Sequence, residues 1–216
     1  MTDAMSELYP FLYAEPDGAD VDAVLREVRA STVTKAREIM ELRGRVHREQ
    51  RRELAEAGAA MAARFARGGR LFSFGNGGSS TDAQDFATQF MNPPQGTPPL
   101  PAFALTAETA VVTALSNDVG FDVVFSRQLA AFGRADDIAV GLSTSGNSAN
   151  LLSAFDQARR VGMLTVGITG DSGGRMAEQA GVDHLFVVPS SSVHRIQEAQ
   201  TTIYHVLADL AAEGRR

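Results

Sequence analysis

From about Val21 to Arg67 the apolar side chains recur at helical spacing, at Val24, Val28, Ile39, Leu42, Val46 and Leu54, in a stretch rich in Ala, Glu and Arg and free of proline. The period predicts two long helices, broken near Ser31 or Gly44. After Gly68-Gly69 the texture changes to short apolar runs bounded by Gly, Pro or Ser. Leu71–Phe74, Ala102–Leu105, Ile138–Leu142, Leu164–Ile168 and His184–Val188 read as strands. Helical patterns fall between them at about Thr81–Phe90, Glu108–Ser116, Phe121–Phe132, Ala149–Val161 and Arg175–Ala180, and a long one closes the chain from Val193 to Glu213. Regular strand–helix alternation specifies a parallel sheet covered on both faces. The expected fold is α/β, a three-layer α/β/α sandwich around a five-stranded parallel sheet, preceded by N-terminal helices. Ligands in such folds sit at the carboxyl ends of the strands.

Charge divides the chain further. Residues 1–30 carry 2 basic and 7 acidic side chains, residues 31–70 carry 10 and 5, and residues 71–216 carry 8 and 14. We expect an acidic N-terminal arm over 1–30 and a single domain over 31–216 that includes the helical segment. The strip Tyr9-Pro10-Phe11-Leu12-Tyr13 in the arm either packs on its own chain or docks a protein partner. Glutamates interleave with Arg43, Arg45, Arg48, Arg51 and Arg52, so that stripe reads as an ion-paired, solvated face. With a net charge of -6, no nucleic-acid ligand is expected. No apolar run reaches the roughly 18 to 20 residues of a membrane span, and the acidic N-terminus lacks the order of a signal peptide, so a cytoplasmic protein with no membrane association is expected. The absence of cysteine excludes disulfides, thiolate metal sites and thiol catalysis. No Lys or Arg occurs between Arg70 and Arg127.

Two strand-to-helix turns carry the candidate chemistry. The first is Ser73-Phe74-Gly75-Asn76-Gly77-Gly78-Ser79-Ser80-Thr81-Asp82; the second is Gly141-Leu142-Ser143-Thr144-Ser145-Gly146-Asn147-Ser148-Ala149-Asn150. Small residues let a ligand approach the backbone, while hydroxyls and free amides at the next helix's N-terminus offer donors to an anion. The hydroxyls of Ser143, Thr144, Ser145 and Ser148 make the second turn a phosphate-site candidate. A dinucleotide fingerprint fails at Ser80, no Walker lysine is present, and Ser145 lacks the flanking glycines of a nucleophile elbow.

The runs FGNGGSSTDAQDFA, ALSNDVGFDVVFSRQL, GLSTSGNSANLLSAFDQAR, GITGDSGGRMAEQAG and VPSSSVHRIQEAQTTIYHVL resemble, in order and spacing, the sugar isomerase (SIS) domain proteins of the phosphoheptose isomerase group. The resemblance spans about Val33 to Ala211. It implies a SIS fold and a cytoplasmic homotetramer that binds a phosphorylated sugar at subunit interfaces. Enzyme members isomerise sedoheptulose 7-phosphate, commonly with zinc, whereas one group of relatives binds the bacterial replication initiator instead. Carried over by position, the resemblance implies ligand contacts at Asn76, Gly77, Ser79, Asp118, Ser143, Thr144, Ser145 and Ser148. Gln197 matches a glutamine metal ligand that also lines the sugar site, and His205 a histidine ligand or general acid. Zinc would then lie on Asp85, Gln197 and His205.

The chain departs from the family on the helix after the first turn. The family places a His there and a Glu four residues later; here those positions hold Asp85 and Gln89. Aldose–ketose isomerisation needs one group that accepts and returns a carbon-bound proton and another that protonates oxygen. The Gln89 amide cannot accept that proton, while Asp85 restores a carboxylate one helical turn earlier. His194, standing where the family has an aspartate, offers a second candidate base beside Asp85, with His205 as the acid. The segment Asn92–Pro101, proline-rich and uncharged, replaces one in which the family carries arginine. Two readings stay open on these residues, an isomerase with a rearranged constellation and a non-catalytic phosphosugar-binding or regulatory protein. Gln197 and His205 lie eight residues apart, about 12 Å along one helix, which favours a metal shared between subunits.

Overall fold

A computed structural model describes residues 21–178 and 181–214. The Tyr9–Tyr13 strip and its proposed partner contact lie outside the described residues. Contacts cluster the chain into two units, residues 1–38 and 39–216. In the first, residues 21–38 are the opening turns of α1 (Val21–Ala66), with Val24, Leu25, Val28 and Val33 exposed. The expected pair of helices is therefore one: α1 continues through both Ser31 and Gly44. A mid-helix glycine costs only about 1 kcal/mol relative to alanine, and the helix formers around Gly44 outweigh it.

The second unit holds a parallel sheet in the order β2-β1-β3-β4-β5. Its strands are β1 (Leu71–Gly75), β2 (Ala102–Ala104), β3 (Ile138–Leu142), β4 (Leu164–Gly170) and β5 (His184–Val188). The helices are α2 (Gly78–Met91), α3 (Thr109–Asp118), α4 (Val124–Phe132), entered through a 3-10 turn at Phe121–Val123, α5 (Ala149–Val161), α6 (Gly174–Glu178) and α7 (Val193–Glu213). This is the expected three-layer sandwich. β4 runs two residues beyond its predicted end, and the predicted helix at Arg175 starts one residue earlier.

Period-2 alternation explains the two cores. Leu71, Ile138, Val140, Leu142, Val166 and Ile168 face α1, α2 and α7 in one cluster. Phe72, Phe74 and Ala139 face α4 and α5 in the other. At the edge strand β5, Gln50 of α1 substitutes for a neighbouring strand: its Nε2 donates to the Val187 carbonyl at 2.7 Å and its Oε1 accepts the Val187 N–H at 3.1 Å. The arginine stripe behaves as its sequence implied, with Arg45–Glu49 and Arg52–Glu56 ion pairs on the exposed face.

Arg70, which opens the arginine-free stretch, is committed at the amino end of β1. Its side chain grips the buried Asp137 carboxylate and donates to the Phe132 carbonyl, and its backbone N–H also bonds Asp137. The opposite end of the sheet, where β1, β3 and β4 stop, is left to loops and helix N-termini.

Candidate active site

At the carboxyl edge the two predicted turns meet. Asn76, just past β1, and Asn150, in the first turn of α5, form a reciprocal amide pair: Asn76 Nδ2 donates to Asn150 Oδ1 at 3.0 Å, and Asn150 Nδ2 to Asn76 Oδ1 at 2.9 Å. Both side-chain atoms of Asn76 are thereby used in joining the turns. Asn150 stood in the second motif without being singled out, because an asparagine in a turn gives no sign of a partner 74 positions away.

The second turn is stitched from within. Ser143 is buried, and its Oγ accepts the N–H groups of Ser145 at 3.3 Å and Gly146 at 3.0 Å. Ser143 thus shapes the loop. Ser145 accepts the Asn147 N–H, and Asn147 Oδ1 accepts the Arg175 N–H. Ser148 caps α5 by position without a side-chain capping bond, and Thr144 and Ser148 are half-buried. Gly146 has φ +67, and a Cβ there would run into the Gly173 carbonyl oxygen and lie 2.8 Å from Thr169 Oγ1. Only glycine fits that conformation and that approach.

In the first turn Gly77 has a positive φ and is exposed, Ser79 is buried, and Ser80 donates to the Gly77 carbonyl. A cavity of about 270 Å³ lies against Gly75–Gly77, lined also by Ser80, Thr106, Thr109, Val112, Phe121 and Phe125. Asp118, at the end of α3, is exposed and accepts a bond from Asn117 at 2.8 Å. A roomier cavity of about 410 Å³ lies along β2. Its lining is mostly apolar, Arg70 there is committed to Asp137, and Gln128 donates to backbone carbonyls. Neither of the two strand-end turns lines it.

The second half of the site is built where α2 crosses α7. Gly78 lacks a side chain where the Gln197 amide packs on it; a Cβ would collide with Gln197 Nε2. One turn on lies Asp82, whose Oδ2 is buried with no hydrogen-bond partner among the described residues. Burial, then the neighbouring charge of Asp85, pushes the Asp82 carboxyl above its ordinary 3.8, against the opposing effect of the nearby Gln197 amide. Asp85 is half-exposed. Its Oδ2 accepts the Tyr204 hydroxyl at 2.7 Å, its Oδ1 accepts Gln89 Nε2 at 3.3 Å, and His205 Nε2 stands 4.0 Å from Oδ2. His205 Nδ1 lies 2.7 Å from the Thr201 carbonyl, which only accepts, so Nδ1 carries a hydrogen and Nε2 is the ring nitrogen that faces Asp85. Burial, then the bond to Asp85, pushes the Tyr204 phenol above its ordinary value.

Asp85, Gln89 and His205 are therefore brought together, while Gln197 packs on Gly78 at the start of α2. His194 is exposed in the first turn of α7, about 16 Å from His205 along the helix. Asp82 and Tyr204 were not singled out in the sequence: both sit inside quoted runs, and only the crossing of α2 with α7 reveals their roles. Among the described residues no three His, Cys, Asp or Glu side chains converge as a metal site.

The raised Asp82 has a consequence for stability. The folded state binds the proton more tightly than the unfolded chain, so the contribution is complete below about pH 3.8 and is lost as pH rises through the folded value. Urea unfolding across the carboxylate range should show wild-type stability falling with pH relative to Asp82→Asn. Parallel pH profiles for the two proteins would show that Asp82 is not destabilised in its charged form.

Residues 36–170 match the SIS domain family. The chain is 48% identical over 177 residues to a phosphoheptose isomerase of Desulfovibrio desulfuricans, an alignment covering 81% of this chain and 83% of that protein. It is 46% identical over 150 residues to a phosphoheptose isomerase of Roseiflexus, covering 68% and 74%. Among solved structures, a phosphoheptose isomerase from Francisella tularensis superposes with TM-score 0.82 at 33% identity, covering 86% of this chain and 98% of that one. One from Neisseria gonorrhoeae gives TM-score 0.80 at 34% identity, covering 86% and 99%.

Proposed function

This chain belongs to the SIS domain family, and from that premise we propose that it is a phosphoheptose isomerase, interconverting sedoheptulose 7-phosphate and its aldose through an enediol. The observation that carries the reading is the facing of the Asp85 carboxylate and His205 Nε2 where α2, the helix that follows the first turn, meets α7. In this reading Thr144, Ser145, Ser148 and the first N–H groups of α5 take the phosphate, on a loop shaped by Ser143. Gly77, Asp118 and Gln197 line the sugar, with the first turn held in shape by Asn76, paired with Asn150, and by the buried Ser79. With no arginine from 71 to 126, the phosphate relies on hydroxyls, backbone N–H groups and helix dipole, the last worth about 0.3 to 1 kcal/mol.

Asp85 removes the C1 proton of the ketose and returns it to C2. His205 accepts the O1 proton at Nε2 and delivers a proton to O2, so the protons balance over one turnover and both side chains end as they began. His194 takes no part, because it is remote from both. The zinc ion suggested by the family resemblance would take donors from Asp85 and His205, with Gln197, about 12 Å from His205 along α7, joining them only from another subunit. Since no third His, Cys, Asp or Glu joins the two among the described residues, no step is routed through a metal. The homotetramer and a cytoplasmic location belong to the same proposal; among the described residues no helix is long and apolar enough to cross a membrane.

A second reading rests on Gln89, whose amide donates to Asp85 where the family has a carboxylate: the pocket binds phosphosugar without turning it over. Purified protein incubated with sedoheptulose 7-phosphate, with and without zinc, decides between them. Aldose formation that disappears in His205→Ala supports the isomerase. A rise in melting temperature without turnover supports the binding protein, and no rise with any phosphosugar overturns the phosphate-loop assignment.

A further inference from the structure

Tyr204 has no role in the chemistry assigned so far, and its surroundings give it one. The ring is buried, tilted against Phe86 at 5.5 Å between centroids and stacked on His205 at 4.8 Å. From this fixed platform the hydroxyl reaches Asp85 Oδ2 at 2.7 Å, a charge-assisted distance. Asp85 itself is half-exposed, and its other bond, from Gln89 at 3.3 Å, is long. Of its two hydrogen bonds, the one from Tyr204 is the shorter. One rigid side chain thus touches both groups of the proposed acid–base pair, one through its hydroxyl and the other through its ring face.

We propose that Tyr204 is a positioning residue for isomerisation, fixing the Asp85 carboxylate opposite His205 so that both address the same pair of substrate carbons. This rests on the isomerase reading above. The phenol contacts the base and not the substrate, so its loss should slow turnover and leave substrate binding largely as it is.

The test is Tyr204→Phe, which retains the packed ring and removes one oxygen, assayed with sedoheptulose 7-phosphate beside wild type, Asp85→Asn and the double variant. We expect kcat to fall about 10- to 100-fold, on the scale set by misplacing a reacting group by about 1 Å. KM should stay within about threefold, because the ligand contacts are untouched. The double variant should be no slower than Asp85→Asn, since the hydroxyl acts only through that carboxylate. Rates are compared per folded molecule, so a modest loss of stability in the phenylalanine variant does not obscure the cycle. Unchanged kcat overturns the proposal, as does a raised KM at unchanged kcat, or additive losses in the double variant. An active wild type indifferent to Tyr204→Phe defeats this inference alone, whereas a wild type that binds the sugar without turnover defeats it together with the isomerase reading.

Discussion

Asp85→Asn is expected to lower turnover of sedoheptulose 7-phosphate by about 100- to 10,000-fold, the usual contribution of a positioned general base, while the phosphosugar still raises the melting temperature. The substitution is isosteric and keeps an oxygen to accept the Tyr204 hydroxyl, so the α2–α7 crossing should survive. What it removes is the ability to hold a proton taken from carbon. Gln89→Glu is the informative companion. It places a carboxylate where the family resemblance puts one, but it also replaces the amide that donates to Asp85 Oδ1 with a like charge. If Asp85 is the base, this variant should be slower than wild type. Wild-type turnover in Asp85→Asn, or a gain in Gln89→Glu, would return the role of base to position 89 and reduce Asp85 to a neighbour.

The difference between what was legible in the sequence and what was not follows interaction range. Strands β3 and β5 and helices α5 and α7 start and stop where the patterns place them, because glycine, serine and proline punctuate those ends locally. The break expected in α1 failed on the same local logic: a glycine inside a long run of helix formers weakens the helix without ending it. Both ligand turns were readable as small-residue loops at strand ends, yet the division of labour inside them was not. Ser143 looked like the other hydroxyls and proves to be a buried scaffold for two N–H groups. Asp82, Asn150 and Tyr204 are ordinary letters in recognisable runs. Tyr204 acquires meaning from a partner 119 positions away, and no local pattern encodes which residues α2 and α7 bring face to face.

Gly146→Ala should be among the most damaging single-methyl changes in the molecule, costing about 2 to 4 kcal/mol from the left-handed backbone and overpacking together. The glycine is pinned from several directions. Its N–H is held by Ser143, its carbonyl accepts the Met176 N–H at 2.9 Å, and its open face lies against the Gly173 carbonyl and Thr169. Those neighbours are backbone or fully buried, so the added methyl cannot be accommodated by turning a flexible side chain. Relief must come from moving the loop, and that displaces Thr144, Ser145 and the amino end of α5 together. Urea unfolding should therefore show lower stability, and the surviving folded protein should lose the rise in melting temperature given by a phosphosugar. Ser148→Ala separates the two effects: it removes one hydroxyl that makes no capping bond, so stability should hold while the phosphosugar response weakens. If Gly146→Ala instead keeps full stability and full response, the loop is more yielding than its contacts imply, and the phosphate must be held elsewhere on the carboxyl edge.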